Sequence, residues 1–321
     1  RAMESLQTEG RLSESCRTLK VKDDSSFASY APLLEGASLV MIKFMGNTIR
    51  TKFWQQCLAF LEGRGIPYYM DAAGSAEEEC GKWIGKEEIE VIKKYSFYGG
   101  LENYRNLWLY GAFLFETSPV KPPDPSPLCW AGLYHFGMKN RYMTDLSSYR
   151  ERFCKPERPT AGFLFYRDEW IWGDTKYQDA FIEEAERQGL NVIPVFTNGL
   201  PDTKLGMPSL DEVFHRYFMK DGKPVIDCLV NVMKFSFTTS GSISREVLHE
   251  MGIPVLQCYS LLMPEEEWKK STEGMNAMEV SISISMPEFD GVIHGVPIAA
   301  KHVKKTGEVE YLPLKERIAA M

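Results

Sequence analysis

From Thr160 onward the chain alternates short β-branched and aromatic runs with amphipathic stretches, and that alternation leaves few folds open. The runs Gly162 to Arg167, Leu190 to Phe196, Cys228 to Lys234 and Pro254 to Tyr259 read as buried strands. Between them, Tyr177 to Gln188 carries a helical apolar stripe, and further helices are predicted from Leu210, Ser244 and Pro264. Gly173-Asp174-Thr175 reads as the start of the Tyr177 helix, with Asp174 as its capping side chain. Repeated strand, helix, strand predicts an α/β fold: a doubly wound, mostly parallel sheet of Rossmann or flavodoxin-like kind, with helices on both faces.

A smaller α/β domain is predicted upstream. Leu39 to Phe44 and Ile66 to Met70 read as strands flanking a helix over Thr51 to Leu61, followed by a charged helical stretch from Ala76 to Lys94. An aromatic-rich helix, Asn103 to Leu114, follows the Gly99-Gly100 break. Prolines 119, 122, 123, 125 and 127 set a stiff extended connection, and Pro156 and Pro159 mark a second boundary. The expected organisation is a polar segment over 1–35, the small α/β domain over 36–118, a linker containing a connecting strand Trp130 to His135 over 119–159, and the doubly wound domain over 160–321.

Composition excludes several classes. With 44% hydrophobic and 25% charged residues among 321, the chain is that of a globular protein. It has no apolar run long enough to span a bilayer, and Arg1-Ala2-Met3 reads as a cloning remnant rather than a signal peptide, so a cytoplasmic location and no membrane are expected. A formal net charge of −7 disfavours nucleic acid as a partner. The seven cysteines show no C-x-x-C spacing, which argues for free thiols; Cys57, Cys228 and Cys258 lie in apolar runs and are expected in the core.

The segment Ile282 to Lys301 reads as a strand, a turn and a second strand. Pro287 cannot donate a ladder hydrogen bond and Gly291 tolerates positive φ, so Met286 to Gly291 is expected to present Glu288 and Asp290 at a sheet edge. Ligands of open α/β sheets sit beyond the carboxyl ends of the strands. The ends at Tyr166-Arg167, Thr197-Asn198, Lys234-Phe235-Ser236 and Gln257 to Tyr259, together with Glu288 and Asp290, are therefore expected to converge on one rim.

This ordered set resembles the large subunit of aerobic-type cobaltochelatase, the CobN/magnesium-chelatase H-subunit family. The resemblance rests on Ala37 to Gly46 with Trp54, on Tyr98-Gly-Gly-Leu-Glu-Asn-Tyr-Arg-Asn-Leu107, on Gly132-Leu-Tyr-His135, on the βαβ unit from Gly162, on Asp227 to Ser236, on Gly252 to Gln257, and on MPEFDG, whose phenylalanine leans toward the cobalt branch. Family members are several times longer, so the chain is expected to be an N-terminal portion. The resemblance implies a tetrapyrrole-binding chelatase subunit that inserts Co2+ into hydrogenobyrinic acid a,c-diamide. ATP and Mg2+ would be handled by AAA+ ATPase partner subunits, in agreement with the lack of any G-x-x-x-x-G-K-[ST] sequence here. Magnesium insertion and a non-catalytic tetrapyrrole- or partner-binding module are the alternatives.

Metal insertion needs an apolar slot, a base for two pyrrole protons and a transient metal ligand. Glu288 is the expected base or metal relay, and Asp290 a second acid that binds substrate or caps the turn. His135 closes a turn resembling the family's and is the histidine placed in the site as a catalytic or metal ligand. Arg167 suits a substrate carboxylate or amide edge, against an ion pair with Asp168 or Glu169, and Asn231 has a structural or substrate-facing role. His215, His249 and His302 read as surface residues, and His294 as a strand-edge one.

Overall fold

The computed structural model describes residues 2–21, 26–44, 51–72, 81–115, 118–138, 142–238, 243, 245–304 and 308–321. Gly46, Cys80, Ser244 and the first part of the helix expected from Ala76 lie outside them, as does the side chain of His294. Contacts divide the chain into two compact units, Arg1–Leu128 and Cys129–Met321.

In the first unit β1 (Val40–Phe44) pairs in parallel with β2 (Tyr68–Ala72), and the short β3 (Gly81–Lys82) runs antiparallel to β2. The helix Lys52–Arg64 makes the crossover between β1 and β2, ending at Gly65 with φ 67°, a left-handed cap that glycine adopts without strain. Lys86–Tyr98 and Gly100–Leu114 follow as a helix pair. Asn103 pins the proline-rich stretch to this pair: its amide nitrogen donates to Gly99 O and Ser126 O at 2.8 Å each, and its oxygen accepts from Ser126 N at 3.0 Å. The Tyr95 hydroxyl, itself donating to Pro123 O, fastens the same stretch one turn away.

The second unit holds a seven-stranded sheet and a two-stranded hairpin, β7 (Met219–Lys220) with β8 (Lys223–Pro224). The sheet strands are β4 (Ala131–Leu133), β5 (Thr160–Tyr166), β6 (Asn191–Thr197), β9 (Cys228–Asn231), β10 (Val255–Leu261), β11 (Ile293–Val303) and β12 (Val309–Pro313), in the order β12-β11-β10-β9-β5-β6-β4. β5, β6, β9, β10 and β11 are mutually parallel, while β4 and β12 are antiparallel edge strands. Counted in chain order, the parallel five follow 2-1-3-4-5, the flavodoxin-like order, which reverses between β5 and β9. The strand expected within the linker is thus shorter than predicted and belongs to this sheet, as its edge beside β6.

Alternation within the strands explains why they read as unbroken apolar runs. Leu164, Ile193, Val195 and Leu229 pack on one face with the helix Leu210–Tyr217, while Phe163, Phe165, Val192, Phe196 and Val230 pack on the other with the helix Lys176–Arg187. Both faces are covered, as a parallel sheet requires. Gly162 lets the first face close up: a Cβ there would meet Ile226 Cδ1 at 2.7 Å and Leu229 Cδ1 at 3.0 Å. Cys57 and Cys258 are buried, and burial pushes their thiols up to about 11 and about 12. Cys228 is half-buried.

The strand expected before the MPEFDG turn is a helix. Asn276 caps Ala277–Val280 by accepting from Glu279 N at 2.9 Å, Ser281–Ser285 continues as a π-helical turn, and Met286–Glu288 completes the helix. The alternation Ser-Ile-Ser-Ile-Ser mimics a half-buried strand, but β11 is parallel to β10, and a parallel neighbour needs a crossover over the sheet face. That topology overrides the β-propensity of the isoleucines. One consequence is positional: the helix returns the chain to the start of β11, where Ile293 pairs with Leu256 near the beginning of β10, so Glu288 and Asp290 open a strand at its amino end.

Candidate functional site

The switch in strand order between β5 and β9 places a crevice beyond their carboxyl ends. Four residues stand there. Arg167 leaves β5 as the first residue of the helix Arg167–Trp172 and is 2% exposed. Its Nε donates to Cys129 O at 2.7 Å and its guanidinium lies 4.2 Å from the Trp130 ring centroid. Burial lowers its pKa to about 10, which still leaves it charged at neutral pH. These contacts lie beside a cavity of about 370 Å³ lined by Trp130, Thr144, Thr203, Met207 and Arg216.

Glu169, on the same short helix, keeps a fraction of its side chain at the surface but is ringed by protein. Desolvation raises its carboxyl to about 8; the Tyr177 hydroxyl opposes the rise, Asp174 and Asp168 add to it, and Lys234 opposes it. Its Oε2 accepts from Tyr177 Oη at 2.7 Å and from Gln178 Nε2 at 2.8 Å. Lys234 follows β9, and burial lowers its ammonium pKa while Glu279 and Glu169 act the other way. Glu279 comes from the misread helix. It has no exposed surface; Oε1 accepts from Leu262 N at 2.6 Å, just past β10, and Oε2 has no hydrogen-bond partner. The Gln178 side-chain oxygen, equally buried, also has none.

Asp174 does not cap its helix. The N-cap is Thr175, and the Asp174 carboxylate accepts from Tyr311 N at 3.2 and 3.3 Å, tying the helix start to β12. Asn231 sits inside the sheet in a closed amide network: it donates to Gln257 Oε1 at 2.7 Å and to Met233 O at 3.1 Å, and accepts from Met233 N at 3.0 Å. Its amide is therefore occupied in shaping the exit from β9.

The remaining expected site residues are elsewhere, because the turn lies at the opposite end of β11. Asp290 accepts from Ser236 Oγ at 2.8 Å, Phe237 N at 2.6 Å, Thr238 N at 3.2 Å and Thr238 Oγ1 at 2.5 Å, clamping the segment after Phe235, whose φ is 70°. Glu288 is exposed, and Phe289 beside it is 70% exposed. His135 is buried at the far edge of the sheet, with Phe136 and Phe153 stacked on its ring at centroid distances of 4.5 and 4.0 Å. Its Nδ1 accepts from Gly137 N at 2.9 Å and its Nε2 lies 3.0 Å from Glu186 Oε1. β4 and β11 are separated by four strands, so His135 and Glu288 stand on the order of 20 Å apart, at about 4.8 Å per strand. They do not form one site. Among the described residues, no three His, Cys, Asp or Glu side chains are grouped to hold a metal ion, and no helix is long and apolar enough to cross a membrane. His215, His249 and His302 are exposed.

Glu169 and Glu279 were missed by sequence reasoning, and Lys234 was expected on the rim only as part of a strand end, with no role of its own. Glu169 directly follows a strand end, which is the signal that could have found it; Glu279 was hidden by the strand assignment of its helix. An open, doubly wound α/β sheet with titratable groups at its switch point is the architecture of a ligand-binding protein. The CobN/Magnesium Chelatase family model matches residues 93–321, and the chain belongs to that family. It is 30% identical over 300 residues to an uncharacterised protein of Methanocaldococcus jannaschii, covering 91% of this chain and 24% of the relative. It is 29% identical over 272 residues to the aerobic cobaltochelatase subunit CobN of Sinorhizobium sp, covering 80% of this chain and 20% of that one. The catalytic subunit of cobaltochelatase from Mycobacterium tuberculosis has a similar fold, with a TM-score of 0.56 at 20% identity over 92% of this chain and 24% of that one. The chain thus spans about a quarter of the length of the relatives it matches.

Proposed function

We propose that the chain is part of the large tetrapyrrole-binding subunit of an ATP-dependent cobaltochelatase, inserting Co2+ into hydrogenobyrinic acid a,c-diamide. The observation that carries this reading is the similarity to a cobaltochelatase subunit along four-fifths of the chain. The phenylalanine of MPEFDG favours cobalt over magnesium. ATP and Mg2+ would be handled by AAA+ partner subunits, since the sequence carries no phosphate-cradling P-loop. Of the residues expected to act, Arg167 and Asn231 would shape the crevice from within, and Asp290 would position the segment after β9. Glu288, exposed at the opening of β11, would serve as a surface ligand that meets the metal rather than as a buried base.

The test is metal insertion followed by absorbance, using the full-length protein with its ATPase partners and ATP. Co2+ with the corrinoid precursor and Mg2+ with a porphyrin are offered side by side. Cobalt insertion into the corrinoid precursor is expected. Insertion of magnesium alone would move the chain to the other branch, and pigment binding without insertion of either metal would make it a binding module.

A further inference from the structure

Metal insertion has a proton problem that the exposed Glu288 does not solve. Each ring N–H must lose its proton to a base that is partly shielded from water and within reach of the macrocycle. The amino-end residues are unsuited: Asp290 is saturated by the bonds from Ser236, Phe237 and Thr238, and His135 is sealed between two phenylalanines.

The carboxyl-end crevice has the required groups. Glu169 directs one carboxylate oxygen to Tyr177 and Gln178 and retains partial exposure. Lys234 lies in the electrostatic field of both Glu169 and Glu279, yet no ion pair closes on its ammonium among the described residues. Two fully buried acceptor oxygens on the same rim, Gln178 Oε1 and Glu279 Oε2, have no donor. Buried acceptors without donors cost about 1–3 kcal/mol each, and they gather where a fold serves chemistry rather than stability. Because Lys234 does not pair with Glu169, the partly exposed Glu169 carboxylate stays open to a third group, while Glu279 remains fully buried.

We propose, on the strength of the chelatase reading above, that Glu169 is the base that accepts the tetrapyrrole's ring protons and that Lys234 is the positioning residue that sets its basicity. The ring N–H bond breaks, its electron pair stays on nitrogen and passes to the metal, and the proton moves to a Glu169 oxygen. Glu169 then releases that proton to water. A corrin has one such inner proton, so one proton leaves as Co2+ enters and the metal-bound ring gains one net positive charge; a porphyrin would repeat the step for its second N–H and end with its charge unchanged. The charged and titratable groups that face Glu169 are Asp168 on its own helix, Tyr166 on β5, Asp174 and Tyr177 from the next helix and its lead-in, Lys234 after β9 and Tyr311 on β12. Removing the lysine from this set leaves the carboxylate facing acids and phenols alone, which raises its affinity for a proton.

The experiment is the pH profile of metal insertion by the full-length protein with its ATPase partners, for the parent, Glu169→Gln and Lys234→Met, with tetrapyrrole binding measured separately by absorbance. The parent rate should rise with pH through the neighbourhood of 8. Glu169→Gln should lower the rate at the plateau by about a hundredfold, the scale of a lost general base, and abolish that rise. Lys234→Met should keep the rise but move it upward by about one pH unit. Pigment affinity should hold within about threefold in both variants, each being close to the parent residue in size. If Glu169→Gln retains the parent rate and profile, or Lys234→Met leaves the limb in place, the inference is overturned while the chelatase reading stands. If the parent itself inserts no metal, the chelatase reading fails and the inference with it. Should Glu169→Gln lose pigment binding through misfolding, the position of the limb in Lys234→Met decides.

Discussion

The two ends of the parallel strands use their acids in opposite ways. At the amino end of β11, Asp290 is saturated with hydrogen bonds and Glu288 stands in solvent. At the carboxyl ends of β5 and β9, Glu169 and Lys234 are drawn into protein, where burial pushes their pKa values toward one another. An acid fixed by its neighbours in sequence, as Glu288 is by Pro287, is not thereby withdrawn from solvent. Tuning comes from desolvation, which depends on the fold.

The contrast between the two ends of the strands bears most strongly on the pH dependence of stability. Glu169 has a folded-state pKa of about 8, above the ordinary 4.5, so between those values the folded chain holds a proton that the unfolded chain releases. The stabilisation is complete below about pH 4.5 and is lost as pH rises through 8. At about 1.4 kcal/mol per pKa unit the full difference is on the order of 5 kcal/mol. Urea midpoints of the parent should fall across this window, and Glu169→Gln should remove most of the slope. A parent slope unchanged by the substitution would erase the contrast between the two ends.

Asp290 supplies the next largest effect. Asp290→Ala removes the acceptor for Ser236, Phe237 and Thr238, leaving partly buried donors unmet. A loss of about 3 kcal/mol is expected at neutral pH. Asp290→Asn should recover part of it, since one oxygen remains to accept. If urea denaturation shows Asp290→Ala within 0.5 kcal/mol of the parent (~0.5 being the ordinary range of surface changes), the clamp is not structural.

These contrasts mark how far the sequence could be read. Phe163, Leu164 and Phe165 declare a strand buried on both faces, because successive side chains enter different cores. The same logic failed at Ser281 to Ser285, where alternation of serine and isoleucine is compatible with strand and helix alike, and only the parallel register of β10 and β11 decides. That single misreading reversed the turn's position along β11 and moved Glu288 from the expected ligand rim. His135 was misplaced for a related reason: β4 runs antiparallel to its neighbour, so the chain leaves it toward the amino end of β6. Glu169 escaped notice beside Asp168, since burial by Tyr177, Gln178 and the following loops is a property of distant segments.

The smallest expected effect separates the remaining roles of Glu288. Its carboxylate is exposed and makes no ion pair among the described residues, so Glu288→Gln should change stability by less than about 0.5 kcal/mol. If it meets the metal at the surface, as proposed, the substitution removes one charged oxygen ligand from an encounter site and should raise the apparent KM for Co2+ several-fold, while kcat at saturating metal and the pH limb stay in place. A general base would behave differently, losing about a hundredfold in kcat at every metal concentration. Steady-state rates against Co2+ concentration distinguish the two: a kcat loss of that size in Glu288→Gln would restore the base to the MPEFDG turn and require the crevice at β5 and β9 to serve binding alone.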